Sequence, residues 1–399
     1  MSVGRWLVTL CLPLSWPLLA DSAFRAFYLV LRLADRRHSA TPLPLATDLP
    51  HLAVVIPAHD EAEVIGATVR QVRQSDYPPD RLSVFVIADA CHDATAQVAQ
   101  TAGARVWERE GDAARGKGPA LDWFLRVAGH ELDAFAALVV LDADTQLEPT
   151  ALARLAAALA RAPVVQGFIQ PVHADGATVA SLAALSEILS QAVDDTARAR
   201  LGWPVPLRGA GMALPPRLLA DLSPRLRTRI EDTEMSLLLA QRRVPVAFAP
   251  DAVIGDPKPA DAVRAARQRA RWLQGRAEVY RRYGPLLLRL LLDGRPGDAA
   301  LVLTLGLRPK TLVVALKAVL GVGLALSRLR AGRFTGAGLL VATAIDLVYY
   351  PAGLTVVERP EVYAPALLRA PAYGLMWLRG LWTALRSREA WLSARRRAS

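Results

Sequence analysis

The sequence predicts an α/β domain of Rossmann type, a mostly parallel sheet covered by helices, flanked at both ends of the chain by transmembrane helices. Three observations carry this. Short unbroken Val/Ile/Leu runs alternate with helix-length segments, acidic residues stand where such runs end, and long apolar stretches are confined to the two ends. Strands buried on both faces read as continuous apolar runs, which is the mark of a parallel sheet.

With 399 residues, 53% of them hydrophobic, the chain has ample apolar material for a core, and disorder is excluded. The mean hydropathy of +0.24 is high for a wholly soluble protein. Cys11 and Cys91 lie far apart in sequence and neither has a metal-spaced partner, so no disulfide framework and no Cys-based zinc site is expected. The main folded body therefore reads as one that resides in a reducing compartment. The net charge of +11 sits in two segments: residues 258–282 contribute +6 and residues 379–399 contribute +5. No nucleic-acid recognition motif accompanies that charge, so a membrane surface or a phosphate-bearing ligand is the expected partner and nucleic acid is not.

Residues 6–33 form an apolar run with Arg32, Arg36 and Arg37 at its end and no small-residue cleavage site, so residues 1–37 are expected to be an uncleaved anchor. By the positive-inside rule those arginines place the next domain in the cytoplasm, at the inner membrane of a multi-pass protein. Strands are expected at 52–56, 84–89, 104–109, 136–141, 164–170 and 244–250. A long Ala/Leu helix near 177–200 and a glycine-rich turn at 209–214 lie between the last two. This body spans 48–285. An interfacial helix and two spans, at 299–327 and 336–357, are expected over 286–361. An amphipathic surface helix and basic tail follow over 362–399. Arg328, Arg330 and Arg333 then fall in the outer loop, against the positive-inside rule.

Asp142 and Asp144 follow the run AALVVL. Strand side chains alternate, so two carboxylates two residues apart emerge on one side at the strand's C-terminal end, where open parallel sheets bind ligands. Two aligned oxygen ligands suit Mg²⁺ or Mn²⁺, with a nucleoside diphosphate completing the sphere. The alternative is a turn or helix-entry role before Pro149. Asp89 ends the run VFVIAD in the same way, poised for a base or ribose, or else capping the next helix. GDAARGKG at 111–118 nearly matches a P-loop, but Gly118 stands where Ser or Thr would hold Mg²⁺. Lys117 at this glycine turn remains a good phosphate contact. Glu231 and Asp232 head a helical segment, where acids already suit the helix dipole. Gln268, Arg271, Trp272 and Gly275 are spaced to share one helix face, and a core stripe would not choose Gln and Arg.

Taken in order, VVIPAHDEAEVI, IADACHDAT, RGKGPALDW, LDADT, IEDTE and QRARW resemble the membrane-bound family 2 glycosyltransferases, an inverting group with a GT-A fold. The group includes synthases of cellulose, hyaluronan and poly-N-acetylglucosamine. The resemblance covers roughly residues 50–285. It implies that Asp89 contacts uracil, that Asp142 and Asp144 meet the ribose and the metal-diphosphate with Asp144 on the metal, and that Asp232 deprotonates the acceptor hydroxyl. Gln268, Arg271 and Trp272 match the family's QxxRW and would close over the diphosphate and acceptor sugar; Glu61 matches a nucleotide-loop position. The sequence departs from the family at Asp60, Ala90 and Thr233, which bears on the choice of nucleotide sugar.

The resulting expectation is a hexosyl- or N-acetylhexosaminyltransferase that uses Mg²⁺ or Mn²⁺. It would move sugar from a nucleotide-diphosphate donor, a UDP-sugar by resemblance, to a lipid-linked or polymer acceptor at the membrane. A processive synthase that needs a partner, a membrane-associated NTPase or nucleotidyltransferase, and a non-catalytic scaffold are the alternatives.

Overall fold

A computed structural model of the chain describes residues 3–34, 48–110, 116–172, 178–258 and 262–368, with 374, 375, 378, 379 and 382. Most of GDAARGKG and about two thirds of the expected C-terminal surface helix and tail lie outside the described residues. The chain forms two compact units, one of residues 40–175, 202–289 and 380–399, the other of residues 1–39, 176–201 and 290–379.

The first unit is built on one sheet of eight strands among the described residues: β1 Leu52–Ala58, β2 Leu82–Asp89, β3 Arg105–Arg109, β4 Ala137–Val140, β5 Gln146–Leu147, β6 Val164–Val172, β7 Met212–Leu214 and β8 Val246–Pro257. Their order is β3-β2-β1-β4-β7-β6-β8-β5. β1, β2, β3 and β4 pair in parallel, as do β6 and β8. β7 runs antiparallel between β4 and β6, and β5 runs antiparallel to β8. The sheet is therefore mixed, where the apolar runs predicted a mostly parallel one. β7 has three residues and β5 two, too few for periodicity to announce a strand, let alone its direction.

Alternation sorts the strand side chains into two cores. Val54 and Ile56 of β1 pack with Ile65, Val69 and Val72 of the helix Ile65–Arg73 and with Leu152 and Leu155 of the helix Ala151–Leu159. Ala53 and Val55 face the opposite core, with Leu121 and Phe124 of the helix Lys117–Ala128 and Met235 and Leu238 of the helix Glu231–Gln241. Both faces are covered, which is why these strands could be read as unbroken apolar runs.

The second unit is helical. The segment 176–201, placed inside the α/β body by the sequence, belongs here. Its Arg198 is fully buried and donates to the Ala300 carbonyl at 2.9 Å, while Tyr349 Oη donates to the Leu189 carbonyl at 3.1 Å. The expected span 299–327 is not one helix. Pro296–Gly306 and Lys310–Ala325 meet at 96°, because Pro309 has no N–H to continue the ladder and disfavours helical geometry at Arg308. Nor does an interfacial helix begin at 286, since Ala262–Leu292 is one uninterrupted helix. Among the described residues, Arg330–Val356 is long and apolar enough to cross a membrane, and the bent pair meets the same test if counted as one broken span. Within this unit Lys317 is fully buried, its Nζ 2.8 Å from Asp346 and 3.2 Å from Asp21, and Arg25 reaches Asp346 at 3.0 Å.

Candidate active site

The first cluster forms where β4 ends. The strand stops at Val140, so Asp142 and Asp144 stand in the turn beyond it, closed by the Thr145 amide donating to the Asp142 carbonyl at 3.2 Å. Burial still alternates: Leu141, Ala143 and Thr145 are buried, while both aspartates are half-buried. The turn role and the ligand role therefore coexist. Lys117, the first residue of its helix, places Nζ 2.5 Å from Asp142 Oδ1 and 2.7 Å from the Gly209 carbonyl. Burial works against the Lys117 ammonium, but Asp142, Glu231 and the more distant Asp232 outweigh it and raise the lysine above its usual value. Burial likewise opposes ionisation of Asp142, and Lys117, helped by Arg271 and Lys258, holds it below the carboxylate range.

Gly209 and Gly211 adopt φ +85° and +64°, a conformation that favours glycine, and they carry the chain from Arg208 into β7. A side chain at Gly209 would have its Cβ 3.8 Å from Asp232 Oδ2 and 4.0 Å from Lys117 Nζ. The bare turn thus leaves room between Asp232 and Lys117.

Asp232 belongs to the first turn of Glu231–Gln241, and the Thr233 amide donates to its Oδ1 at 2.6 Å. Beside it, burial pushes the Glu231 carboxyl up to about 7 against the pull of Lys117, and Asp232 pushes in the same direction. Two acids this close do not both ionise easily, so Glu231 holds a proton into the neutral range. The third acid of that turn has another job: Glu234 is buried and accepts the Arg227 and Thr228 amides at 2.8 and 2.7 Å.

The helix Ala262–Leu292 is pinned to the residues just before Glu231. A Cβ on Gly275 would lie 2.9 Å from Ile230 Cγ2 and 3.3 Å from Arg229 Cβ, so glycine permits the close approach. Arg229 clamps the same pair of segments, Nη1 donating to Glu278 Oε1 at 2.5 Å while its amide donates to Oε2 at 3.1 Å. One turn earlier, Gln268, Arg271 and Trp272 are half-buried. Arg271 Nε is buried without a hydrogen-bond partner.

Asp89 ends β2 and is buried, with Oδ1 accepting from Arg109 Nη1 at 2.7 Å. Its Oδ2 is buried with no hydrogen-bond partner, which costs on the order of 1–3 kcal/mol until a donor arrives. Asp89 does not cap the following helix, since the Thr95 amide donates to Asp93 instead, at 2.9 Å. Glu61 is buried on the neighbouring loop, its amide donating to Thr95 Oγ1 at 2.8 Å.

The structure thus groups Lys117, Asp142, Glu231 and Asp232 around Gly209, with Arg271 in their field, and sets Asp89 and Glu61 on adjoining loops of the same unit. The sequence reading did not assign Arg109 as the partner of Asp89, Gly209 as the gap, or the Arg229–Glu278 clamp. Gly209 had a legible signal in the GAG triplet; the other two join residues 20 and 49 apart, which no local pattern relates.

Comparison with known proteins follows this geometry. Residues 50–275 match the family described as "Glycosyltransferase like family 2". The curated "Probable glycosyltransferase YdaM" of Bacillus subtilis (strain 168) is 25% identical over 242 residues, 58% of this chain and 56% of that protein, so the chain spans about half the length of the relative it matches. Among solved structures, the mannosyltransferase PcManGT from Pyrobaculum calidifontis, determined with GDP-Man and Mn²⁺, aligns with a TM-score of 0.56 at 20% identity, covering 93% of this chain and 100% of that one. That likeness bears on the fold.

Proposed function

The chain belongs to the glycosyltransferase-like family 2, and from that premise we propose that it is a nucleotide-sugar-dependent transferase that inverts the anomeric centre and acts on a membrane-associated lipid or polysaccharide acceptor. The observation that carries this reading is the Lys117–Asp142 pair, 2.5 Å long, set at the end of β4 beside the Glu231–Asp232 pair. Cation, ionised carboxylate and a candidate base converge there from three separate elements.

Asp89 Oδ2, buried and lacking a donor, accepts an N–H from the nucleobase. Lys117 and Arg271 meet the charge that grows on the diphosphate as it leaves. Asp142 and Asp144 would supply oxygen ligands fitted to a hard divalent cation, Asp144 being the one that would hold the metal, and Lys117 holds Asp142 below the carboxylate range. When bound, such a cation adds Lewis-acid stabilisation of the leaving group. Asp232 takes the acceptor hydroxyl proton; the acceptor oxygen bonds to the anomeric carbon as the bond from that carbon to the diphosphate oxygen breaks. Attack opposite the leaving group inverts the centre. Gln268 and Trp272 border the acceptor side.

Membrane association is supported by the apolar helix Arg330–Val356 and the basic excess of residues 258–282. We assign residues 1–37 as an anchor, 48–285 as the transferase body, and the helices beyond as membrane-bound, with the body on the cytoplasmic face. The test is a donor screen on the purified full chain in lipid, following release of UDP or GDP from their sugars with Mn²⁺, Mg²⁺ or EDTA, with lipid extract as acceptor. GDP-sugars are included because the solved mannosyltransferase holds GDP-Man. Metal-dependent release that rises with lipid extract is the expected result. Sugar transfer that persists in both Asp232→Asn and Asp142→Asn would overturn the site.

A further inference from the structure

Residues 59–60 and 91–92 lie on the two loops that leave β1 and β2, and none of them takes part in the transfer described above. We propose that His59, Asp60, Cys91 and His92 form a second metal site, for a thiophilic tetrahedral ion such as Zn²⁺, that staples these loops together.

The distances suit such an ion. One ligand atom from each of His59, Asp60 and Cys91 lies within 4.8 Å of the others. His59 Nε2 and His92 Nδ1 are 3.7 and 3.8 Å from Asp60 Oδ2. These separations are too long for hydrogen bonds. They are close to the roughly 3.3–3.7 Å edge of a tetrahedron whose metal bonds are about 2.0–2.3 Å. The exposed His92 ring, 3.8 Å from Asp60 Oδ2, is the nearest further ligand and would complete the set by moving in.

The hydrogen bonds around the cluster orient it. The other nitrogen of His59, Nδ1, is 2.7 Å from the Asp89 carbonyl, which can only accept, so Nδ1 carries the proton and Nε2 presents its lone pair. A ligating imidazole anchored through its second nitrogen to a carbonyl is the usual outer-sphere support of a metal site. Asp60 Oδ1 accepts the His92 amide at 2.7 Å, which leaves Oδ2 turned toward both rings. Asp60 and Ala90 hold φ of +54° and +49°, a cost that a bound ion would offset. No short Cys/His spacing announces this grouping, because the ligand pairs come from loops some 30 residues apart.

This site differs in chemistry from Asp142 and Asp144. Nitrogen and sulfur ligands select a soft or borderline ion, whereas two carboxylates select Mg²⁺ or Mn²⁺. Its occupancy does not depend on whether sugar is transferred, so its test is separate from that of the proposed function.

The experiment is a Co²⁺ titration of the purified full chain in the Cys11→Ser background, which leaves Cys91 as the sole thiol, read by absorption. The expected result is a thiolate-to-cobalt charge-transfer band with intense tetrahedral d–d bands, saturating at one Co²⁺ per chain and abolished by Zn²⁺. The thiolate band is lost in Cys91→Ser, and His92→Ala, at an exposed position, weakens binding by roughly 10-fold or more. Asp144→Asn leaves the spectrum unchanged. Absence of the band in the Cys11→Ser protein, or its persistence in Cys91→Ser, overturns the proposal, as does its loss in Asp144→Asn.

Discussion

Asp142 is half-exposed yet ionises more readily than an ordinary aspartate, because Lys117 bonds to it directly and outweighs its burial. Burial, with Asp232 pushing the same way, raises the neighbouring Glu231 carboxyl to about 7, and Asp232 is the residue we propose as the base. Replacing Asp232 by Asn is expected to lower kcat by about 10²–10⁴-fold, the usual worth of a general base, with the thermal midpoint and donor affinity little changed. Single-turnover kinetics beside a melting curve check this. Glu231 also makes a stability prediction. Its folded value of about 7 lies above the ordinary 4.5, so the folded state binds the proton more tightly. Its contribution is fully present below pH 4.5 and is lost as pH rises through 7. Glu231→Gln, which cannot ionise, is therefore expected to melt progressively higher than the parent across that window and to keep a constant advantage above it. Equal midpoints at every pH would show that Glu231 does not hold the raised value. Asp89, Asp142 and Asp144 were legible as candidates because strand ends are readable in sequence, and Lys117 because it follows a glycine turn; that Lys117 pairs with Asp142 and Arg109 with Asp89 was not legible, since the partners come from different elements.

At the level of elements, the candidate site depends on how closely the helix Ala262–Leu292 approaches the start of Glu231–Gln241. Gly275 and the Arg229–Glu278 clamp set that approach. Gly275→Ala places a methyl 2.9 Å from Ile230 Cγ2. Overpacking of this kind costs about 1–3 kcal/mol. The expected phenotype is a lower melting temperature and a larger loss in kcat/KM than in affinity for the nucleotide alone, because Arg271 and Trp272 ride on the displaced helix. Nucleotide binding by calorimetry beside steady-state rates separates the two. The sequence predicted six of the eight strands among the described residues. It missed β5 and also β7, which it read as part of a glycine-rich turn; in both a strand exists only because neighbouring strands offer hydrogen bonds to a short extended segment. It also merged two helices that Pro309 separates, since hydropathy averages across a break that backbone chemistry enforces.

For the whole molecule, the helical unit is tied together by charge in its interior. Asp21, Arg25, Lys317 and Asp346 come from segments up to 325 residues apart and satisfy one another within 3.2 Å. Lys317→Met leaves Asp21 with Lys310 and Asp346 with Arg25, so the expected loss lies below the about 3–5 kcal/mol that stranding a buried charge costs. A loss of about 1–3 kcal/mol in the folding of the purified chain in lipid is the expected outcome, whereas an unchanged midpoint would mean that Lys317 adds nothing to the pairs that remain. The two-unit division itself could not be read from the chain, because the helices of 176–201 look locally like any other helices of an α/β body. By itself the sequence determined what local rules encode: apolar runs that become buried strands, acids at their ends, a glycine where the chain must turn, a helix face carrying Gln268, Arg271 and Trp272. Tertiary structure decided which distant residues meet, hence that Lys117 neutralises Asp142, that Asp89 leans on Arg109, and that His59 and Cys91 converge. The physical reason is range: hydrophobic periodicity acts over a few residues, while ion pairs, hydrogen bonds and metal ligation act through space and are blind to separation along the chain.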